Sequence, residues 1–106
     1  MPTVTLTITV SPIRSDYRVI NILGDGFIGS NNKKVGARMK GQDTWFDDNL
    51  FGIPSINSRV YGSEFYIGYT VHQSRLNEDW GQDEVYAVVE VEDSGTYNSN
   101  VVKGYF

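Results

Sequence analysis

The chain has 106 residues, of which 40% are hydrophobic and 21% charged, and this length and composition fit one soluble globular domain and exclude a disordered chain. It has no cysteine, which excludes disulfides and thiolate metal sites, and its apolar runs are far shorter than the roughly 20 residues of a membrane span. The net charge of −4, with nine scattered basic residues, argues against partners such as nucleic acid or an anionic membrane surface.

The first strand is predicted from strict alternation over Thr3–Val10, with aliphatic residues on the core face and threonines on the solvent face. Proline cannot donate to a strand ladder, so Pro12 is predicted to end it. A second strand is predicted over residues 17–23. The following "GDGFIG" is predicted to be a turn, because glycine readily adopts positive φ angles.

A third strand is predicted over residues 35–40, ended by Gly41. The segment "GQDTWFDDNLFG" from Gly41 to Gly52 is predicted to be a connection. A short strand is then predicted over residues 59–61 and a long one over residues 64–72, with a kink at Gly62 between them. Phe65 and Val71 are expected on the same face of the long strand.

A second acidic segment, "LNEDWGQDEVY" from Leu76 to Tyr86, precedes a strand predicted over residues 84–92, and "SNVVKGYF" forms the last strand. The alternation leaves open which face of residues 84–92 is buried. About seven short strands and no helical period predict an all-β fold, an immunoglobulin-like β-sandwich of antiparallel strands formed by residues 1–106 as a single domain. A small barrel is the alternative.

Residues 8–41 carry a family resemblance: a Ser-Pro after the first strand, a second strand ending in Gly-x-Gly-Phe, and a third strand around "KKVGARM". Together they resemble IPT/TIG domains, the immunoglobulin-like modules of cell-surface receptors, of some transcription factors and of bacterial secreted enzymes and surface proteins. The link after Pro12 is shorter than is usual in this family, and the two acidic segments are not part of its pattern. The resemblance implies a non-catalytic spacer or interaction module, with no catalytic residues to carry over.

The two acidic segments are the candidate ligand sites. Calcium takes six to eight oxygen ligands and binds in loops that collect carboxylates and carbonyls. If the loops at 43–49 and 78–84 meet at one end of the sandwich, they predict a calcium site formed by Asp43, Asp47, Asp48, Asp79 and Asp83. The alternative is solvated carboxylates that cap turns, and the two loops need not lie at the same end.

The two tryptophans of these segments suggest carbohydrate binding, since flat aromatic faces flanked by carboxylates suit pyranose rings. The candidate residues are Trp45 and Trp80, and the alternative is that each indole plugs one end of the core.

Catalysis and cofactors other than calcium are not expected. His72 is the only histidine, no nucleophile-elbow motif is present, and pairs such as Asp47 with Asp48 would need a cleft to hydrolyse a glycoside. The prediction is a non-catalytic structural or interaction module, with a protein partner or neighbouring domains, and carbohydrate as an alternative ligand. Both ends read as strands without a signal peptide, so an excised accessory domain of a larger surface or secreted protein is expected.

Overall fold

A computed structural model describes residues 1–42, 47–54, 58–77 and 83–106. These residues form eight strands and one short 3-10 helix: β1 Thr3–Val10, β2 Tyr17–Asp25, β3 Val35–Gly41, β4 Asp48–Ile53, β5 Phe65–His72, the 3-10 helix Gln73–Arg75, β6 Asp83–Val91, β7 Gly95–Asn98 and β8 Val102–Gly104. In the described ranges no helix has the length and apolar character needed to cross a membrane.

The strands form two separate antiparallel sheets. One has the order β1-β2-β5, and the other has the order β4-β3-β6-β7, with β8 also paired to β6. Strand β7 pairs with the end of β6 and β8 with its beginning, so both lie along the edge of β6 that is opposite β3. Among the described strands no pairing joins the two sheets, and the predicted all-β sandwich of antiparallel strands is confirmed.

The hydrophobic core lies between the sheets and follows the alternation seen in the sequence. Leu6, Ile20 and Ile22 project from the three-stranded sheet, and Met39 and Val89 from the five-stranded sheet, all at most 1% exposed. Each such side chain contributes roughly 1.5–3 kcal/mol on burial. Connections close the ends of the core with Phe27, Val60 and Leu76.

The structure shows which face of β6 packs in the core. Its alternate residues Val85, Ala87, Val89 and Val91 pack in the core. Tyr86 lies on the outer face and is nevertheless buried, as is Val88. The alternation was ambiguous in sequence because both faces of this strand are covered.

The strand predicted over residues 59–61 is wrong. Arg59 and Tyr61 make only isolated bridges, to Lys34 and Glu64. Gly62, with φ of +68°, reverses the chain directly after Tyr61, so the segment has no room to extend into a ladder.

Two strands lie where none was predicted. Strand β4 occupies the second half of the first acidic segment, so Asp48 begins a strand and is not a loop residue. It pairs with β3 through a register shift between Met39 and Lys40. Strand β7 is only four residues long and pairs with β6 in antiparallel orientation. Strand β2 also runs on through Gly24 and Asp25, so the predicted turn starts at Gly26.

Candidate functional site

The predicted ligand residues fall into two groups. Outside the described residues lie Asp43, Trp45, Asp79 and Trp80. The structure describes the remaining three: Asp47, Asp48 and Asp83.

The first acidic segment begins, and the second ends, at the same end of the five-stranded sheet. Gly41, the last residue of β3, pairs with Asp48 on one side and with Val85 of β6 on the other. Just beyond it, the Gln42 N–H donates to the Glu84 carbonyl oxygen at 2.8 Å. The chain therefore leaves β3 directly beside the point where it enters β6.

Asp47 forms a specific contact on the outer face of this end. The Tyr86 hydroxyl donates a hydrogen bond of 2.6 Å to Asp47 Oδ2. The hydrogen bond to the carboxylate, followed by burial, raises the pKa of Tyr86 to about 12 from its ordinary value of 10.0. Asp47 thus attaches the start of β4 to β6, which lies beyond β3 in the same sheet.

The other two described acids differ in environment. Asp48 is exposed at the start of β4, whereas Asp83 is 8% exposed at the start of β6, opposite Gly104. In the part of the chain that the structure describes, no three His, Cys, Asp or Glu side chains form a group suited to a metal ion. The calcium site therefore stays a prediction that depends on Asp43 and Asp79.

His72 lies between a serine and an aspartate. Its Nδ1 is 2.9 Å from Ser74 Oγ, and its Nε2 is 3.5 Å from Asp16 Oδ2. The same Nδ1 accepts the Ser74 backbone N–H, so His72 is the N-cap of the 3-10 helix. Both the histidine and Asp16 are close to half exposed, and water competes for their contact. Helix capping accounts for the contact between His72 and Ser74.

A groove that the sequence did not indicate crosses the outer face of the three-stranded sheet. It has a volume of about 530 Å³, and we call it the tyrosine groove; its lining includes Thr5, Leu23, Asp25, Tyr61, Glu64 and Tyr66. Leu23 is 51% exposed, Tyr66 53% and Tyr61 76%. Large side chains that are this exposed and this close together are typical of binding surfaces.

Tyr66 is held in place over the sheet. Its hydroxyl donates a 2.5 Å hydrogen bond to Asn21 Oδ1 on the neighbouring strand. Its ring passes above Gly68, where an added Cβ would lie 2.7 Å from the Tyr66 hydroxyl oxygen and 3.2 Å from Cζ. The glycine leaves room for the ring to lie along the sheet, so Tyr66 is pre-oriented.

The acidic residues of the tyrosine groove have no basic partners among the described residues. Asp25 and Glu64 are exposed and take part in no ion pair there, and neither Lys nor Arg lines the groove. Asp25 Oδ1 accepts the Gly26 N–H at 2.8 Å. The groove is therefore both aromatic and negatively charged.

A second groove, beside the turn between β6 and β7, is different. It has a volume of about 580 Å³ and contains Glu90 and Asp93. Two of its three carboxylates are in ion pairs: Asp93 is 2.8 Å from Lys33 Nζ, and Glu90 is 2.9 Å from Arg38. The third, Glu92, accepts the Lys34 backbone N–H at 3.3 Å. Of these two grooves, the tyrosine groove is the one lined by aromatic side chains, and its carboxylates Asp25 and Glu64 are in no ion pair with a described residue.

Sequence reasoning missed the tyrosine groove because its residues come from three strands and a turn. The signal that could have found it is the aromatic side chain on the polar face of β5, Tyr66, opposite the inward-facing Phe65 and Ile67. Its neighbour Leu23 is brought beside it only by the register of β2 against β5.

Comparison of the chain with protein-family models, with curated proteins and with solved structures finds no significant match.

Proposed function

We propose that the chain is a non-catalytic interaction module, an accessory domain of a larger surface or secreted protein, and that the tyrosine groove is its contact surface. The observation that carries the proposal is the exposure of Leu23 and Tyr66, which are neighbours on the outer face of the sheet, together with Tyr61 from the adjoining turn. Tyrosine is enriched in protein interfaces because its ring offers a large contact area at low conformational cost.

The architecture supports this function. In immunoglobulin-like sandwiches the first, second and fifth strands share one sheet, and the third and sixth lie together in the other. The sheets β1-β2-β5 and β4-β3-β6-β7 fit this arrangement, with β4 added beside β3. The resemblance of residues 8–41 to IPT/TIG domains points to the same class of module.

Site-specific photo-cross-linking in the source cells tests the proposal. A benzophenone amino acid is placed at Leu23 inside the groove and, as the matched control, at Thr96 on the exposed edge strand β7. We expect a discrete adduct of higher mass at Leu23, lost in the Tyr66→Ala background and absent at Thr96. No adduct, or equal adducts at both positions, would contradict the groove as the contact surface.

A calcium-binding domain is the second candidate, favoured by the position of the strand ends. Asp48 and Val85 flank Gly41 on adjacent strands, so the first acidic segment begins close to the point where the second one ends. A calcium ion that binds only the native state raises the melting temperature by mass action. A calorimetric melt in millimolar calcium against chelator tests this candidate, and identical melting temperatures would exclude it.

A further inference from the structure

We propose that the tyrosine groove recognises an arginine side chain carried by an extended segment of a protein partner. This inference rests on the proposed function and adds the chemistry of the ligand. Three observations lead to it: the pre-oriented ring of Tyr66, the two uncompensated carboxylates, and the width of the groove across the sheet.

The ring of Tyr66 provides the stacking surface. Its hydroxyl is engaged by Asn21 and its underside has Gly68 below it, while about half of the side chain stays accessible to solvent. A planar guanidinium stacks on such a ring through cation–π attraction, within about 6 Å of the ring centroid. Because the ring is already fixed, little conformational entropy is lost when the ligand binds.

Asp25 and Glu64 provide the countercharge. Neither is in an ion pair with another described residue, so both are available to a cation. A guanidinium donates up to five hydrogen bonds in a plane and pairs with carboxylates in a bidentate manner, which an ammonium does not. A calcium ion would need six to eight oxygen ligands, more than two exposed carboxylates supply. A neutral sugar would stack on the same rings but leave both charges without a partner.

The shape of the groove favours a peptide. Its lining runs from Thr5 on β1 through Leu23 on β2 to Tyr66 on β5. Three strands at about 4.8 Å spacing give a width of about 10 Å, which an extended peptide of about three residues spans. The overall net charge of −4 attracts a basic segment at long range.

Calorimetric titration with the peptide acetyl-Gly-Arg-Gly-Arg-Gly-amide tests the inference. The control peptide carries citrulline, a neutral isostere, at both arginine positions. We expect saturable binding of the arginine peptide that weakens with added salt, and at least about tenfold weaker binding of the citrulline peptide. Absence of saturable binding up to millimolar concentration would overturn the inference.

Variants locate the site. Glu64→Gln and Tyr66→Ala are expected to weaken binding at least about tenfold, whereas Asp48→Asn makes the same charge change on the other sheet and is expected to leave it unchanged. Both groove residues are exposed, so urea unfolding should confirm that the variants are folded. Unchanged affinity in Tyr66→Ala would overturn the assignment to this groove.

Two further outcomes separate this inference from the proposed function. A cross-link at Leu23 without binding of the arginine peptide would keep the contact surface and reject the ligand chemistry. Binding of a neutral oligosaccharide such as chitohexaose, with shifted Tyr66 resonances and no response to the arginine peptide, would replace a protein partner by a carbohydrate.

Discussion

The side chain of Asn100 pairs with the backbone of Leu6 as a neighbouring strand would. The Leu6 N–H donates to Asn100 Oδ1 at 2.7 Å, and Asn100 Nδ2 donates to the Leu6 carbonyl oxygen at 3.1 Å. Along an antiparallel strand, the backbone N–H and C=O groups of successive residues point alternately towards one neighbour and the other. Those of Leu6 point away from β2 and towards Asn100. Asn100 therefore covers the middle of β1, an uncharged strand at the edge of its sheet.

The preceding residue, Ser99, likewise hydrogen-bonds to the backbone of a strand residue, Ala87, on the other sheet. Its N–H donates to the Ala87 carbonyl oxygen at 2.9 Å, and its Oγ accepts the Ala87 N–H at 2.8 Å. Ser99 and Asn100 lie in the gap between β7 and β8. The segment between β7 and β8 therefore links the two sheets, because Asn100 bonds to Leu6 of one sheet and Ser99 bonds to Ala87 of the other.

Asn100→Ala is expected to lower the free energy of unfolding by about 1–2 kcal/mol, because two hydrogen bonds at a partly buried site are lost. It should also promote self-association, since the freed edge of β1 is a template for strand pairing. Urea unfolding and analytical ultracentrifugation measure the two effects. Asn98→Ala, at an exposed position of β7, serves as control and should change neither.

Two of the glycines that lie under aromatic rings, Gly24 and Gly68, should respond differently to alanine. A Cβ at Gly24 would lie 2.0 Å from the ring of Phe65, which is 4% exposed in the core and has little room to move. Gly24→Ala is therefore expected to cost about 1–3 kcal/mol through overpacking. Gly68→Ala only displaces the solvent-exposed end of Tyr66, so it should cost less than about 1 kcal/mol.

Urea unfolding compares the stabilities of the two glycine variants. The chemical shifts of Tyr66 and Asn21 then report the ring position, and they should change in Gly68→Ala. Equal destabilisation by both substitutions would contradict the difference in packing between the two faces of the sheet.

Phe27 should be the most sensitive position of the "GDGFIG" segment. It is 1% exposed, and its ring centroid is 5.3 Å from that of Phe65 and 5.0 Å from that of Tyr97. Phe27→Ala is expected to lower the free energy of unfolding by about 3–5 kcal/mol, as for other large-to-small changes in a core. The neighbouring Ile28 is 87% exposed, and Ile28→Ala should stay within about 0.5 kcal/mol of the parent chain. Thermal and urea melts of the pair test this difference.

Stability should fall at high pH because of the contact between Tyr86 and Asp47. The pKa of Tyr86 is raised to about 12 in the folded chain from 10.0 in the unfolded chain. The stabilisation is complete below about pH 10 and is lost as the pH rises towards 12, because the unfolded chain then releases a proton that the folded chain retains.

Urea unfolding between pH 8 and pH 11.5 measures this loss, with Tyr86→Phe as the control. We expect the stability difference between parent and variant to shrink above pH 10. Absorbance at 295 nm follows tyrosine ionisation, and the ionisation at the highest pH should be missing in Tyr86→Phe. Asp47→Asn should lower the pKa of Tyr86. A parent chain whose high-pH stability profile matches that of Tyr86→Phe would contradict the contact.

The strands with strong alternation could be predicted, and the short ones could not. Over Thr3–Val10 the period of two is complete, and over β5 the inward residues are all apolar, so both strands were recognised. Strand β4 begins with two polar residues after an acidic run, and β7 has the sequence "GTYN", so neither shows a periodic pattern of its own. Their partners β3 and β6 supply the hydrogen bonds that make them strands.

By itself the sequence determined the all-β class, the core faces of β1 and β5, and the turn after β2, because these depend on local periodicity and on glycine. Only the tertiary structure decided which residues meet. The tyrosine groove, the Asp47–Tyr86 contact and the Asn100–Leu6 pairing each join residues that are tens of positions apart. Such contacts depend on strand register and on the order of strands in a sheet, and a shift of one residue would turn Leu23 and Tyr66 into the core.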